Sequence, residues 1–133
     1  MKRYFIDTCV LIWLFDDNKR VRKIAHDMKY YQGDFAVSME VLKEFLYLSA
    51  FNKIKTNIDN DKLVKKLVSM GIEICCFEKK HLKYLCEMPT FKFHTDPTDR
   101  NIIAHAIADK RILISGDGNF SLYENAGLKF LEI

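Results

Sequence analysis

Two aspartates stand three residues apart in the stretch FHTDPTDRNIIAHA (93–106), with Arg100 beside the second. Asp96 followed by Pro97 has the form of a helix start, a capping side chain and then proline at the first helical position. Capping is the favoured role for Asp96. Asp99 falls at the third helical position. An acid there completes a capping box against the positive helix end, or aims its carboxylate at a mouth shared with other acids. Two further aspartates close apolar runs, Asp7 after RYFI and Asp117 after ILISG. Asp7 suits equally a cap on a helix beginning near Thr8 and a site carboxylate, whose charge is costly to bury without a positive partner. Asp117, between glycines, suits a turn, but it also ends a second apolar strand as Asp7 does. Glu40 and Glu44 are four apart and share one helix face with Lys43 between them. They are either a solvated charged face or part of the same acidic group.

Several ionised carboxylates gathered in one hollow require a cation. A hard divalent ion with oxygen ligands, Mg²⁺ or Mn²⁺, fits such a set. Ions of this kind activate water and clamp a phosphoryl oxygen, standing about 4 Å apart when paired.

These residues are far apart in the chain, so the elements between them must gather them. RYFIDT (3–8), FAVS (35–38), IEICCF (72–77), RILISGD (111–117) and LKFLEI (128–133) read as strands. CVLIWLFDD (9–17) and KRVRKIAHDMKYY (19–31) read as helices. MEVLKEFLYLSAFNKI (39–54) is a strong helix, with Val41, Leu42, Phe45, Leu46 and Leu48 on its apolar side. DNDKLVKKLVSMG (59–71) starts with cap-type residues and stops at Gly71; EKKHLKYLCEM (78–88) stops at Pro89. DPTDRNIIAHAIADK (96–110) is the helix of the paired aspartates, and a short polar turn segment separates the last two strands. Strands alternating with helices predict an α/β fold, a parallel sheet covered by helices on both faces. Functional groups in such sheets collect at the carboxyl ends of the strands, near a switch in strand order.

The 133 residues suit one domain, 1–133, with one core. The 49% hydrophobic and 29% charged content excludes a disordered chain. The net charge of +3 permits a polyanionic partner without demanding one. Cys9, Cys75, Cys76 and Cys86 show no CxxC spacing, and read as small buried hydrophobes in a reducing compartment. MKRYFIDTCVLIWLF mimics a signal peptide, but Asp7 interrupts its apolar run and Asp16 and Asp17 follow it. That run is too short to cross a bilayer, so a cytoplasmic protein with no membrane role is expected. Trp13, Phe15, Phe51, Tyr30 and Tyr31 read as core or interface, and the lone histidines His94 and His105 are given no ligand role.

The order of these segments resembles the PIN domain family, and within it the VapC-type ribonuclease toxins. YFIDTCVLIWLF resembles the family's opening strand, aspartate and helix. VSMEVLKEFLYLSAFNKI resembles the segment with its helical glutamate. HTDPTDRNIIAHAIADKRILISGDGNF resembles the H-x-D-P-x-D-R segment, its helix and the strand that ends in an aspartate. The resemblance implies a three-layer α/β/α fold with about five mainly parallel strands in the order 3-2-1-4-5. It implies an acidic catalytic and metal-holding cluster of Asp7, Glu44, Asp99 and Asp117, preferring Glu44 to Glu40. Asp96 matches the motif's other aspartate in an outer role, and Thr8 and Ser115 match hydroxyl positions that orient carboxylates or water. One departure is visible: glycines flank Asp117, where the family often carries a bulkier residue before it.

The chemistry the resemblance implies is Mg²⁺- or Mn²⁺-dependent cleavage of RNA phosphodiesters, leaving a 5′-phosphate and a 3′-hydroxyl. Arg100, Lys43, Lys53 and Lys55 are then candidates for holding the phosphate backbone. The resemblance also implies a homodimer and an antitoxin protein as partner, with VLIWLF as a patch for either. Two other enzyme classes fit less well. A haloacid-dehalogenase-like phosphatase needs an aspartate at position 9, which is Cys9; a receiver domain needs an aspartate on a middle strand, which FAVS and IEICCF lack. A non-catalytic interaction module, its carboxylates spent on helix caps, is the remaining alternative.

Overall fold

The computed structural model describes residues 2–16, 19, 21, 26 and 34–133. The helix expected over 19–31, with Tyr30 and Tyr31, lies outside the described residues save for Lys19, Val21 and His26. Five strands, β1 (Arg3–Ile6), β2 (Asp34–Ser38), β3 (Glu73–Cys75), β4 (Ile112–Ser115) and β5 (Lys129–Glu132), form one sheet. All neighbours are parallel, in the order β3-β2-β1-β4-β5. The expected strand order is the observed one. Among the described residues the helices are α1 (Thr8–Phe15), α2 (Met39–Ala50), α3 (Leu63–Ser69), α4 (Lys79–Glu87) and α5 (Pro97–Ala108).

The central strands are the most apolar, because both of their faces are covered. Phe5, Ile6, Leu113 and Ile114 are all buried to within 1% of complete. The chain leaves β1 toward β2 on one side, while β4 pairs on the other, so a crevice opens at the carboxyl ends of β1 and β4. The ladder continues past β1, where the Asp7 N–H donates to the Ile114 carbonyl at 3.1 Å. Pairing therefore delivers the Asp7 carboxylate to the crevice.

On α2, Val41, Leu42 and Phe45 are buried, each stabilising the fold by about 2 kcal/mol. Ser38 caps this helix by accepting the Val41 N–H at 3.1 Å. Leu46, expected on the apolar side, is exposed. The helix ends at Ala50 rather than near 54, because Asn52 takes a left-handed φ of 56° that α-helix cannot continue. The expected VLIWLF patch is largely core: Val10, Leu11 and Phe15 are buried and Ile12, Trp13 and Leu14 half-buried. Phe51, expected in core or interface, is 63% exposed.

The segment expected as a short polar turn is a 3₁₀ helix, Gly118–Ala126, which buries Phe120 and Tyr123 completely. The spacing of three between those two rings matches the 3₁₀ repeat and puts both on one face. The cysteines also depart from expectation. All four are free, but Cys9 and Cys75 are half-buried and Cys76 and Cys86 exposed.

Candidate metal centre

Asp7, Glu44, Asp99 and Asp117 line one open cavity of about 360 Å³ at the carboxyl end of the sheet. Asp7 occupies the backbone cap position of α1 yet makes no side-chain cap bond. Its Oδ2 accepts the Ser115 hydroxyl at 2.7 Å, and its Oδ1 is buried with no hydrogen-bond partner. The Ser115 Oγ also accepts the Asp117 N–H at 3.0 Å, tying the ends of β1 and β4 together. Thr8 Oγ1 donates to Glu44 Oε2 at 3.0 Å, which fixes the α2 carboxylate from α1.

The remaining acids divide their labour. Asp96 caps α5, its Oδ1 accepting the Asp99 N–H at 3.0 Å with Pro97 in the first turn. Asp117 uses Oδ1 to accept the Asn119 N–H at 2.9 Å, the bond of an aspartate turn. Its Oδ2 is left facing the cavity side, 3.9 Å from His94 Nε2. Glu40 pairs with Lys43 at 3.6 Å. Arg100 donates from Nη1 to the Pro89 carbonyl at 2.9 Å and to the Tyr123 hydroxyl at 3.4 Å. These bonds engage one nitrogen of the guanidinium, which carries five N–H donors in all.

The electrostatics of the cavity are those of uncompensated negative charge. Burial raises the Asp7 pKa, against the opposing Ser115 bond. Burial also raises that of Glu44, helped by the charges of Asp7 and Asp96. Asp99 is pushed up to about 8, first by burial and then by the charges of Asp7, Asp96, Glu44 and Asp117. Cys9 Sγ lies 3.5 Å from Asp7 Oδ2 and accepts the Gly116 N–H at 3.4 Å. Burial and the Asp7 charge push this thiol up to about 11, so at neutral pH it is not a thiolate nucleophile. Gly116 has a packing reason: a Cβ there would lie 2.4 Å from Trp13 Cη2.

The residue that the sequence reading missed is His94. It is buried, with Nε2 3.4 Å from Asp99 Oδ2, and its Nδ1 is 2.8 Å from the Tyr123 hydroxyl. Donor atoms of His94, Asp99 and Asp117 lie within 4.8 Å of one another, a tighter group than the four carboxylates together. The available signal was weak: a histidine two residues before Asp96, and two aromatics three apart in a segment of otherwise polar composition.

A second cluster, His81, His105 and Asp109, has the same donor types within the same span. It borders a larger cavity of about 590 Å³ with Arg3, Glu73 and Arg111. That cavity lies at the amino end of the sheet, away from the acidic group. Here His81 Nδ1 accepts the Glu78 N–H at 2.8 Å, as part of a capping box on α4. A backbone N–H can only donate, so the neutral ring carries its proton on Nε2. That Nε2 stands 2.9 Å from Asp109 Oδ1 and donates to it. No lone pair of His81 is left for a ligand, whereas both ring nitrogens of the buried His105 are without a hydrogen-bond partner.

The family model for the PIN domain matches residues 4–125. The chain belongs to the PIN domain family. No curated relative matches the sequence significantly. The PIN fold here is similar to that of VapBC2 from Rickettsia felis bound to a promoter DNA fragment. The TM-score is 0.75 at 22% identity, covering 98% of each chain. It is also similar to VapBC-1 from nontypeable Haemophilus influenzae (TM-score 0.69, 15% identity, 98% and 97% covered). A toxin–antitoxin complex from Klebsiella pneumoniae gives a TM-score of 0.66 at 16% identity, with 98% and 99% covered. Among the described residues of this PIN domain, no helix is long and apolar enough to cross a membrane.

Proposed function

We propose that this PIN domain is a cytoplasmic metal-dependent endoribonuclease, the toxin of a type II toxin–antitoxin pair, with Mg²⁺ or Mn²⁺ held by Asp7, Glu44, Asp99 and Asp117. The observation that carries the reading is Asp7 Oδ1, a carboxylate oxygen buried without a donor beside three further acids. Buried oxygens are hydrogen-bonded as a rule, and an acceptor left unpaired here fits a site built for a cation. The donor set, mostly carboxylate oxygen, suits a hard divalent ion.

Such an ion supplies Lewis acidity toward a phosphoryl oxygen and lowers the pKa of water. The protein's own contribution is orientation. Ser115 holds Asp7 and the Asp117 backbone in one arrangement, and Thr8 holds Glu44. The exposed Lys53 and Lys55 are available to phosphate, as are the Nη2 and Nε donors of the half-buried Arg100, whose Nη1 bonds the Pro89 carbonyl. The toxin–antitoxin complexes among its structural neighbours support an antitoxin partner, and a homodimer belongs to the same proposal. Leu46, Tyr47 and Phe51, exposed along the end of α2, offer apolar surface for either.

The test is cleavage of mixed RNA by the antitoxin-free chain, with and without Mn²⁺. Cutting that requires the metal, yields 5′-phosphate ends and disappears in Asp7→Asn and Asp99→Asn supports the nuclease. A folded wild-type chain that leaves RNA intact at every metal concentration favours the interaction module.

A further inference from the structure

We infer that His94 is a nitrogen ligand of the ion in this site, making it a mixed nitrogen–oxygen centre that selects Mn²⁺ over Mg²⁺. The inference rests on the reading above that the carboxylates hold a metal. His94 Nε2 is buried, lacks a hydrogen-bond partner and is aimed at the carboxylate oxygens of Asp99 and Asp117, 3.4 and 3.9 Å away. At 3.4 Å from Asp99 it is too far for a good N–H···O bond. Donors that share one small divalent ion at about 2.1 Å stand roughly 3 Å apart in cis and about 4 Å in trans. The observed separations fall between those limits.

The tautomer decides whether Nε2 has a lone pair to give, and here the two histidine clusters part. His81 faces a backbone N–H, which cannot accept, so its Nε2 is locked as a donor. His94 faces the Tyr123 hydroxyl, which can accept as well as donate. When Nδ1–H donates to Tyr123 Oη, Nε2 keeps a lone pair that faces Asp99 and Asp117; when the phenol donates to Nδ1, Nε2 carries the proton instead. A metal-bound histidine characteristically gives its other N–H to such a partner, which fixes ring and tautomer together. The ring is further held edge-on by Phe120 and Tyr123, at centroid distances of 5.5 and 5.3 Å. Mg²⁺ keeps oxygen ligands and its own waters, whereas transition ions accept imidazole nitrogen.

The experiment is pulsed EPR on the full chain loaded with Mn²⁺ alone, with Mn²⁺ and Mg²⁺ affinities measured in parallel. Wild type is expected to show nitrogen modulation from a coordinated imidazole, which changes on labelling histidine with ¹⁵N. His94→Gln should lose that modulation, bind Mn²⁺ about tenfold or more weakly, and lose most of the preference over Mg²⁺. His94→Asn serves the same purpose if the glutamine variant is unfolded, and His105→Gln should keep the signal. Mn²⁺ bound by wild type with no histidine coupling overturns the inference while leaving the carboxylate metal site standing. Coupling that survives both His94 variants also overturns it, and assigns the nitrogen elsewhere. No Mn²⁺ binding by wild type removes the inference together with the metal reading.

Discussion

The two ends of the sheet carry two clusters of histidine and carboxylate with opposite electrostatics. At the amino end, Asp109 Oδ1 stands 2.9 Å from His81 Nε2 and Asp109 Oδ2 stands 3.2 Å from His105 Nε2, although neither His105 nitrogen makes a hydrogen bond. Burial alone would raise Asp109, but the His81 hydrogen bond and the neighbouring histidines outweigh it and leave the carboxyl below its ordinary value. His105 is pushed down to about 4, chiefly by burial, and stays neutral at physiological pH. Nearby, the buried Arg111 meets Glu73 at 3.1 Å and Asp34 at 3.6 Å. At the carboxyl end every resolved carboxylate shift is upward. Three ligand-type side chains within reach of one another therefore do not define a metal site. What distinguishes the candidate is negative charge that the fold itself leaves unbalanced, around a buried carboxylate oxygen, Asp7 Oδ1, that no donor reaches.

The widest separation of the two ends should come from matched substitutions. Asp99→Asn is expected to lower metal-dependent RNA cleavage by a factor on the order of 10³, whereas Asp109→Asn leaves it within about twofold. Equal losses in the two variants would erase the distinction. Next in size is ligand stabilisation. Mn²⁺ at a hundred times its dissociation constant should add about 2.7 kcal/mol to unfolding, seen as a raised Tm in wild type and Asp109→Asn but not in Asp99→Asn. Without metal the order inverts: Asp99→Asn, relieved of repulsion, should melt a few degrees higher than wild type, and Asp109→Asn several degrees lower.

The amino-end cluster makes a pH prediction of comparable size. His105 has a folded-state pKa of about 4 against an ordinary 6.5, so the unfolded chain takes up the proton first as pH falls. Stability from this group is whole above pH 6.5 and is lost progressively down to about 4, by on the order of 3 kcal/mol. Urea midpoints at pH 7 and 4.5, with an NMR titration of His105, measure it; a ring titrating near 6.5 in the folded protein would sink it. The smallest effect is local. Gly116→Ala should displace the chain's single tryptophan, shifting its fluorescence and destabilising the fold by about 1–3 kcal/mol.

The fold was legible because its central strands are continuous apolar runs bounded by helical patterns, and each of those runs stops at the residue where the crevice begins. Asp7 and Asp117 were visible for that reason, and Asp96 because aspartate before proline has one common use. Glu44 could not be separated from Glu40 by spacing. Only the packing of α1 against α2, with Thr8 reaching Glu44, distinguishes their surroundings. His94 stands in the sequence as the first residue of the H-x-D-P-x-D-R segment, but its burial was not legible, because its partners Phe120 and Tyr123 sit in a segment whose serine, asparagine and glycine content reads as a turn. The bond from Arg100 to the Pro89 carbonyl was not legible, because a backbone acceptor is one that no side-chain pattern reveals.

The hydroxyl of Ser115 reaches the carboxylate of Asp7 across a sequence separation of 108 residues. Contacts of that range close late, after intervening loops have been drawn in. During synthesis the opening segment leaves the ribosome long before β4 does, so the hollow has no second wall until β4 has been made. Until β4 docks, Asp7 lacks its hydroxyl partner and Asp117 is not beside it, so the four carboxylates cannot act as one group.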